Sequence, residues 1–337
     1  MASIDALLKI AVEQKASDLH ISVGNPPILR LFGELKKLQY QPLTADQTAG
    51  LVNEILTPAQ REVLAHNWEI DFAYEIPGLA RFRSNAFQQR KGLDACFRVV
   101  RTTLPGFAEL GLPEILKKVC ENHQGLILVT GSAGSGKSTT LASMVDFINT
   151  HTAHHVLTAE DPIEFVHPIK AGAVNQRELN THTKSYGNAL KAALREDPDV
   201  IMVGELRDLE TISLAISASE TGHLVIGSMN TSSAHKTIDK IIDSYPSTQQ
   251  NQIRAMLGES LKAVFSQRLL PRADGSGMAL AYELLLGSTQ LANLIKDGKT
   301  FQIPNIMQMG KAQGLRTMDD SLMELVRGGV ITQEMAA

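Results

Sequence analysis

A glycine-rich octapeptide, GSAGSGKS, occupies residues 131–138 and constrains this chain more than any other feature. It has the spacing of a phosphate-binding loop, in which two glycines frame four residues and a lysine and a serine or threonine follow. The apolar run 125–130 precedes it, and residues with fair helix propensity follow it at 139–148. The motif therefore stands in the strand–loop–helix context that a phosphate loop requires.

The chemistry of this loop follows from its residue types. Glycines let successive backbone N–H groups turn inward around an anion, and the start of the following helix adds partial positive charge. We expect Lys137 to reach the β- and γ-phosphates of ATP and Ser138 to hold Mg²⁺. The alternative, a glycine-rich turn that matches by chance, does not account for the flanking strand and helix. The predicted nucleotide-binding residues are Gly131, Ser132, Ala133, Gly134, Ser135, Gly136, Lys137, Ser138 and Thr139.

Bulk composition narrows the class of protein. The chain has 337 residues, more than one hydrophobic core usually holds, so two domains are expected. Its net charge of −4 is not the strongly basic balance of a nucleic-acid-binding protein, and no nucleic-acid partner is predicted.

Cys96 and Cys120 fit no disulfide or metal spacing and indicate reduced thiols in a cytoplasmic protein. No apolar run approaches the ~20 residues of a membrane helix, so we predict no direct membrane insertion.

The pattern of apolar residues divides the chain. Residues 1–101 combine a helical stripe with alternating, strand-like segments, which indicates a small α+β domain. Residues 102–113 carry two prolines and two glycines and are interpreted as a linker. From residue 114 onward, short apolar runs alternate with helices, as in a parallel sheet covered on both faces. These runs lie at 126–130, 156–159, 200–203 and 224–229. The last third is predicted to be mostly helical, with one hairpin.

Two acidic segments follow predicted strands. The run DVIMVGE ends at Glu205, and in phosphate-loop enzymes an acid at the end of a neighbouring strand lies near Mg²⁺, directly or through water. Acids after buried strands are also common in other proteins. In TAEDPIEF, Glu160 and Glu164 lie past another strand, where ligands bind in open α/β sheets. Either one of them orients or deprotonates the attacking water, or the segment is a solvated acidic loop.

Three further residues have both a functional and an ordinary interpretation. His223 begins the last of the four apolar runs, where a lone histidine is more often structural than catalytic. Arg81 and Arg83 alternate with Phe82 on a predicted strand, so both point to one face. That face either meets solvent or supplies positive charge across an interface to a neighbour's phosphate groups.

Several separated segments, in order along the chain, are similar to the secretion ATPase superfamily. They are GSAGSGKSTT, TAEDPIEF, LREDPDVIMVGELRDLETI and ETGHLVIGSMNTSSAHKTIDKIID. KASDLHIS, GLARFRSNAFQQRKG and the helical C-terminal third extend the similarity over almost the whole chain. Within the superfamily, the chain resembles the PilT-type motor ATPases of bacterial type IV pili.

The resemblance implies a homohexameric ring of two-domain subunits that binds ATP and Mg²⁺. The predicted fold class is α/β, with a PAS-like α+β domain at 1–101 and a RecA-like parallel-sheet ATPase domain with a helical C-terminal region at 114–337. Lys137 and Ser138 then bind phosphate and Mg²⁺, and Glu205 is the acid of the second nucleotide-binding motif. The other catalytic residues implied are Glu164 as general base with Glu160 as second candidate, His223 of the histidine box, and Arg81 and Arg83, which reach the nucleotide when the ring closes.

Four residues depart from the family pattern. Asn230 stands where a second histidine is usual, and an amide cannot take up a proton near neutral pH. Ala292, in QLANLIKD, replaces an arginine of the AIRNLIRE-like segment of retraction motors, and Ser132-Ala133 replaces a frequent Pro-Thr. These departures leave ATP binding intact in principle, but they weaken the case for a principal retraction motor and bring in an accessory paralogue as the alternative.

On this resemblance, we expect a cytoplasmic ATPase at the inner face of the cytoplasmic membrane that powers pilus retraction and twitching motility through an inner-membrane platform protein. An accessory paralogue and a slow-turnover regulatory subunit of the same machine are the alternatives. The acidic charge balance disfavours a DNA translocase, and a kinase would need a phosphoacceptor site that the sequence does not display. The direction of work, retraction or extension, stays open at this point.

Overall fold

The structure, a computed structural model, describes residues 3–31, 34–100 and 104–336. The chain folds as two compact units, Met1–Thr103 at the N-terminal end and Leu104–Ala337 at the C-terminal end. The predicted domain end at residue 101 and the first residues of the predicted linker, 102–103, lie outside the described residues. Phe107 and Leu112 of that linker are buried in the core of the C-terminal unit, so residues 104–113 pack as part of that unit.

The N-terminal unit is an antiparallel sheet with helices. Its helices are α1 (Ser3–Glu13), α2 (Ala45–Ile55) and α3 (Pro58–Asn67). Its strands are β1 (Asp18–Ile21), β2 (Ile28–Leu31), β3 (Glu34–Lys37), β4 (Glu69–Ile76), β5 (Ala80–Gln89) and β6 (Gly92–Val100). The strand order is β3-β2-β1-β6-β5-β4, with antiparallel pairing throughout the described strands. The α+β prediction for this part of the chain is confirmed, and β3 is a strand that the sequence pattern did not show.

Alternation along β5 explains which side chains of this unit are available for binding. Phe82, Ser84 and Ala86 are fully buried, while the intervening positions face the other side of the sheet. The core on the buried face includes Ile4 and Leu8 of α1, so this helix covers that face. Arg81 and Arg83 are therefore excluded from the core and lie on the opposite face of β5.

The C-terminal unit alternates strands and helices. Its strands are β7 (Gly125–Thr130), β8 (His155–Glu160), β9 (Ala173–Glu178), β10 (Val200–Val203), β11 (Leu224–Met229), β12 (Leu261–Pro271) and β13 (Met278–Leu286). Its helices are α4 (Phe107–Leu110), α5 (Ile115–Cys120), α6 (Lys137–His151), α7 (Tyr186–Ala193), α8 (Leu209–Glu220), α9 (Ala234–Asp243), α10 (Ser247–Ser260), α11 (Thr289–Lys296), α12 (Ile303–Met309), α13 (Met318–Arg327) and α14 (Gln333–Ala336).

The strands of this unit form one sheet in the order β13-β12-β7-β11-β10-β8-β9. Every pair is parallel except β12 with β13. All six residues of β7 are buried, because Leu126 and Leu128 enter the core on one face of the sheet while Ile127 and Val129 enter the core on the other. A strand buried on both faces has no polar alternation, which is why its sequence is a continuous apolar run.

The four parallel strands predicted from apolar runs are confirmed as β7, β8, β10 and β11. The predicted hairpin in the last third is β12–β13, but its first strand also pairs with β7 and extends the parallel sheet. The sequence pattern did not show this, nor the edge strand β9. As a result, the phosphate-loop strand β7 lies inside the sheet, between β12 and β11.

Candidate active site

The loop between β7 and α6 has a backbone that only glycine adopts easily. Gly131, Gly134 and Gly136 have φ values of 150°, 77° and 89°. A Cβ atom on Gly131 would lie 2.5 Å from the main-chain oxygen of Gln267 and 2.5 Å from Ser135 Oγ. Residue 131 therefore has no room for a side chain, and the motif's first glycine is required by packing as well as by φ.

Polar groups of this loop are arranged to meet an anion. Lys137 Nζ donates to the main-chain oxygens of Gly131 and Ser132, at 2.9 Å in each case, so the ammonium group folds over the loop. Partial burial lowers the pKa of Lys137, and the nearby Glu205 carboxylate opposes this shift. Ser135 Oγ is buried and has no hydrogen-bond partner within the described residues. A buried hydroxyl and a close-packed glycine cradle fit a bound phosphate group.

Ser138 and Thr139 lie in the first turn of α6, directly after Lys137. Ser138 is exposed at the helix start, and Thr139 is half-buried. A serine hydroxyl in the first turn of this helix fits the role of a magnesium ligand beside the loop. The structure thus brings together the predicted nucleotide-binding residues from 131 to 139.

Glu205 lies at the carboxyl edge of the sheet, which is the edge where the parallel strands end. It follows β10, and Asn230 follows the adjacent β11, which in turn pairs with β7. Asn230 Nδ2 donates to Glu205 Oε1 at 2.6 Å, and Arg207 Nε lies 2.6 Å from Glu205 Oε2. Both carboxylate oxygens of Glu205 are therefore occupied, one by a neutral amide and one by a guanidinium group.

The two partners of Glu205 differ in how readily they can be displaced. The Arg207 side chain is 67% exposed, and an ion pair at such a position contributes only about 0–1 kcal/mol. An incoming cation can therefore replace it at little cost. Asn230 directly follows β11, whose six residues are all buried, so its main chain is held in place. We therefore infer that Asn230 stays bonded to Glu205 when Arg207 is displaced and that it orients the Glu205 carboxylate.

Glu160 and Glu164 have different surroundings. Glu160 is the last residue of β8, and its Oε1 accepts from Thr158 Oγ1 at 2.6 Å and from Gln176 Nε2 at 2.9 Å. Burial raises the pKa of Glu160 despite these bonds, and the neighbouring charge of Glu164 adds to the increase. Glu164 lies in the loop that follows and is half-buried. Glu160 is thus engaged with its own sheet, while Glu164 stands on the loop beyond the carboxyl edge.

His223 does not join this group in its own subunit. It precedes β11, and its main-chain oxygen accepts from Gly125 N at the start of β7. Its Nδ1 lies 3.2 Å from the main-chain oxygen of Ala218. Since β11 spans six residues at about 3.3 Å each, His223 is roughly 20 Å from the carboxyl edge. His223 therefore lies at the edge of the sheet opposite the phosphate loop of the same chain, because it precedes a parallel strand, and its catalytic role stays a prediction.

Arg81 and Arg83 belong to the N-terminal unit, on β5. Arg83 is exposed and Arg81 is half-buried. In the sheet, Arg83 lies opposite Ala73 on β4 and Arg98 on β6, so the face carries a third arginine. Their common face agrees with the alternation expected from the sequence, and their action on a nucleotide stays a prediction.

Three polar residues at the carboxyl edge were missed by the sequence analysis. Arg207 contacts Glu205, Gln176 contacts Glu160, and Gln267 contacts the phosphate loop. Gln176 lies on β9, a strand that the pattern of apolar residues did not show, and Gln267 lies on β12, whose place in the parallel sheet the pattern did not show. Of the three, only Arg207 could have been found from the sequence, because it lies two residues after Glu205 in the segment LREDPDVIMVGELRDLETI.

In the part of the chain that the structure describes, no helix is both long and apolar enough to span a bilayer.

A parallel sheet with a phosphate loop after an interior strand, and an acid after a strand nearby, defines the class of phosphate-loop ATPases. Residues 81–322 match the family described as Type II/IV secretion system protein. The chain belongs to this family.

ATPases of type IV pili are among the known proteins that are similar to this chain. The type IV pilus retractation ATPase PilT of Pseudomonas aeruginosa is 46% identical over 333 residues, which is 99% of this chain and 96% of PilT. The type IV pilus ATPase PilU of the same organism is 37% identical over 98% of this chain and 87% of PilU. A crystal structure of the pilus retraction motor PilT with bound ADP superposes with a TM-score of 0.94 at 45% identity, covering 100% of this chain and 96% of that chain.

Proposed function

We propose that this chain is an ATP-hydrolysing motor that retracts type IV pili and so drives twitching motility. The observation that carries the proposal is the assembly of the phosphate loop, Asn230 and Glu205 at one edge of the sheet. Similarity to the PilT retractation ATPase over 99% of the chain supports the choice of this motor within the family.

In this proposal, the protein accelerates hydrolysis by positioning ATP and the attacking water and by stabilising negative charge on the phosphates. The loop N–H groups and Lys137 bind the β- and γ-phosphates of ATP, which releases Lys137 from the two loop carbonyls that it now caps. Ser138 and Glu205 would hold Mg²⁺, which when bound neutralises charge on the phosphates. Glu164 accepts a proton from the attacking water, because the buried Glu160 is already bonded to Thr158 and Gln176.

The machine is proposed to be a homohexameric ring at the cytoplasmic face of the inner membrane, where it acts on an inner-membrane platform protein. In this arrangement, Arg81 and Arg83 of one subunit stabilise the phosphates bound by the next. Two arginines at alternate positions of β5 face the same way, so both can address one phosphate group. ATP binding then favours closure of one subunit on its neighbour.

Mixing two inactive variants tests action across the subunit interface. We expect Lys137→Ala and Arg81→Ala proteins to be inactive separately and to regain activity when their subunits exchange. At equal mixing, about a quarter of the head-to-tail interfaces combine an intact arginine with an intact phosphate loop. The measurement is steady-state ATP hydrolysis against mixing ratio, with exchange verified by fluorescence transfer between labelled subunits. No recovery in rings shown to be mixed would contradict action in trans.

Asn230→Asp tests the direction that Asn230 gives to Glu205. The substitution places a second carboxylate where the amide now donates at 2.6 Å, so the two acids share one proton and their joint pKa rises. We expect ATP hydrolysis to fall about 10-fold or more at pH 8 and to recover as the pH is lowered to 6 and the shared proton returns. Asn230→Ala is the matched control, with reduced activity but no new pH dependence. A pH–kcat profile of Asn230→Asp parallel to that of the wild type would refute the proposed role.

A second candidate function is favoured by two observations. Asn230 and Ala292 replace a histidine and an arginine of the resembled motors, which suits an accessory paralogue or a slow-turnover regulatory subunit. Ala292 lies against Gly258, where a Cβ would be 3.1 Å from the Ala292 main-chain oxygen, so α11 packs closely on α10. Steady-state ATPase activity of the purified full chain separates the two functions. A principal motor turns over ATP continuously, whereas a regulatory subunit binds it and hydrolyses it slowly.

A further inference from the structure

Gln267 is a buried polar residue on β12 that reaches into the phosphate loop. Its side chain is only 2% exposed, and both polar atoms of its amide are used. Nε2 donates to the main-chain oxygen of Ser135 at 2.6 Å, and Oε1 accepts from Thr140 Oγ1 at 2.8 Å. One side chain thus links the main chain of the loop to the first turns of α6.

The loop glycines also pack on this residue. A Cβ on Gly136 would lie 3.1 Å from Gln267 Nε2, and a Cβ on Gly131 would lie 2.5 Å from its main-chain oxygen. Just before the loop, Thr130 Oγ1 donates to Ser266 Oγ at 2.8 Å, between residues that are paired in register on β7 and β12. Gln267 therefore contacts the loop near both of its ends, and the strand that carries it is tied to the strand that carries the loop.

The bond to Ser135 has a consequence for anion binding. In a trans peptide, the carbonyl and the following N–H point in opposite directions. Because Gln267 holds the Ser135 carbonyl on its own side, the N–H of Gly136 is directed away from Gln267. Inward-turned N–H groups are what a phosphate loop offers to its ligand. A donor that fixes this one peptide plane helps to fix the anion-binding form of the loop before nucleotide arrives.

We propose that Gln267 is a positioning residue that pre-organises the phosphate loop for the β-phosphate of a nucleoside di- or triphosphate. This inference rests on the proposed nucleotide-binding function of the loop. Glutamine suits the position because its amide donates and accepts at the same time and stays neutral at every physiological pH. Glutamate keeps the shape and the bond from Thr140, but it presents an acceptor to the Ser135 carbonyl.

The test compares Gln267→Glu, Gln267→Met and a control, Thr140→Val, in the full-length chain. Thr140→Val removes the bond to Oε1 and leaves the bond to Ser135 in place. Calorimetry with ADP and steady-state kinetics with Mg-ATP are the two readouts. We expect the dissociation constant for ADP and the KM for ATP to rise about 10-fold or more in both Gln267 variants, because a buried carbonyl loses its donor. The expected change in kcat is smaller, since bound nucleotide restores the loop, and Thr140→Val stays within about threefold of the wild type.

Separate outcomes decide between this inference and the function on which it rests. If wild-type protein binds no ADP, the proposed function fails. If wild-type protein binds ADP and folded Gln267→Met binds it equally well, Gln267 has only a packing role and the inference fails. Should Gln267→Glu not fold, Gln267→Met alone decides, because it fills the same volume without a hydrogen-bonding group. A melting temperature that falls while nucleotide affinity stays unchanged would likewise overturn the positioning role.

Discussion

Lys137→Ala is expected to abolish ATP hydrolysis, with kcat reduced more than about 100-fold, because the charge that faces the β- and γ-phosphates disappears. Folding should be preserved, since the Lys137 ammonium bonds only to the main-chain oxygens of Gly131 and Ser132 among the described residues. The measurement is the steady-state ATPase rate, with circular dichroism to verify the fold.

A matched control for Lys137→Ala is available in the same unit. Lys191 lies on α7, is exposed and pairs with Glu210, and an exposed ion pair contributes little to stability. Lys191→Ala should therefore keep the wild-type ATPase rate to within about twofold. A Lys137→Ala protein with wild-type activity would contradict the assignment of the whole site.

Glu164→Gln is expected to preserve nucleotide affinity and to lower kcat more than about 100-fold, because an amide can position water but cannot accept its proton. Glu160→Gln is the comparison variant. An amide oxygen at residue 160 can still accept from Thr158 and Gln176, so most of the activity should survive. Single-turnover hydrolysis and ATP binding are measured on both proteins. An inactive Glu160→Gln beside an active Glu164→Gln would show that Glu160 is the base.

A pattern of apolar residues is sufficient to predict the interior strands of the parallel sheet but not the strand at its edge. β7, β8, β10 and β11 are short apolar runs because neighbouring strands and helices cover them on both faces, and the sequence predicts all four. β9 reads AVNQRE and lies at the edge of the sheet, where polar side chains are tolerated, so it has no such run.

β12 was missed as a sheet strand for a different reason. Ser266 and Gln267 are polar but only 1% and 2% exposed. Their burial is tolerated because they form hydrogen bonds with Thr130, Ser135 and Thr140, which are distant in sequence. Burial of such residues depends on partners that only the folded chain brings near. The candidate site was therefore predictable where a local motif defines it, as at the phosphate loop, and hidden where a distant strand supports it.

His223 and Asn230 show the same limit within one segment. Both lie in the family-like run around β11, and the strand separates them by its full length, so only Asn230 reaches the carboxyl edge. The sequence indicated that Asn230 could not take up a proton, and the structure adds its bond to Glu205. Whether a residue precedes or follows a strand thus predicts its distance from the active site better than its membership of a motif does.

Deletion of the gene in a piliated strain tests the central claim most directly, because a retraction motor and an extension motor have opposite effects on surface pili. Pili are counted by electron microscopy and twitching is measured on agar, with wild-type protein and Lys137→Ala supplied separately as complements. The account predicts an excess of surface pili, loss of twitching, and rescue by the wild-type protein but not by Lys137→Ala. Cells with few or no pili, or with normal twitching, would contradict it.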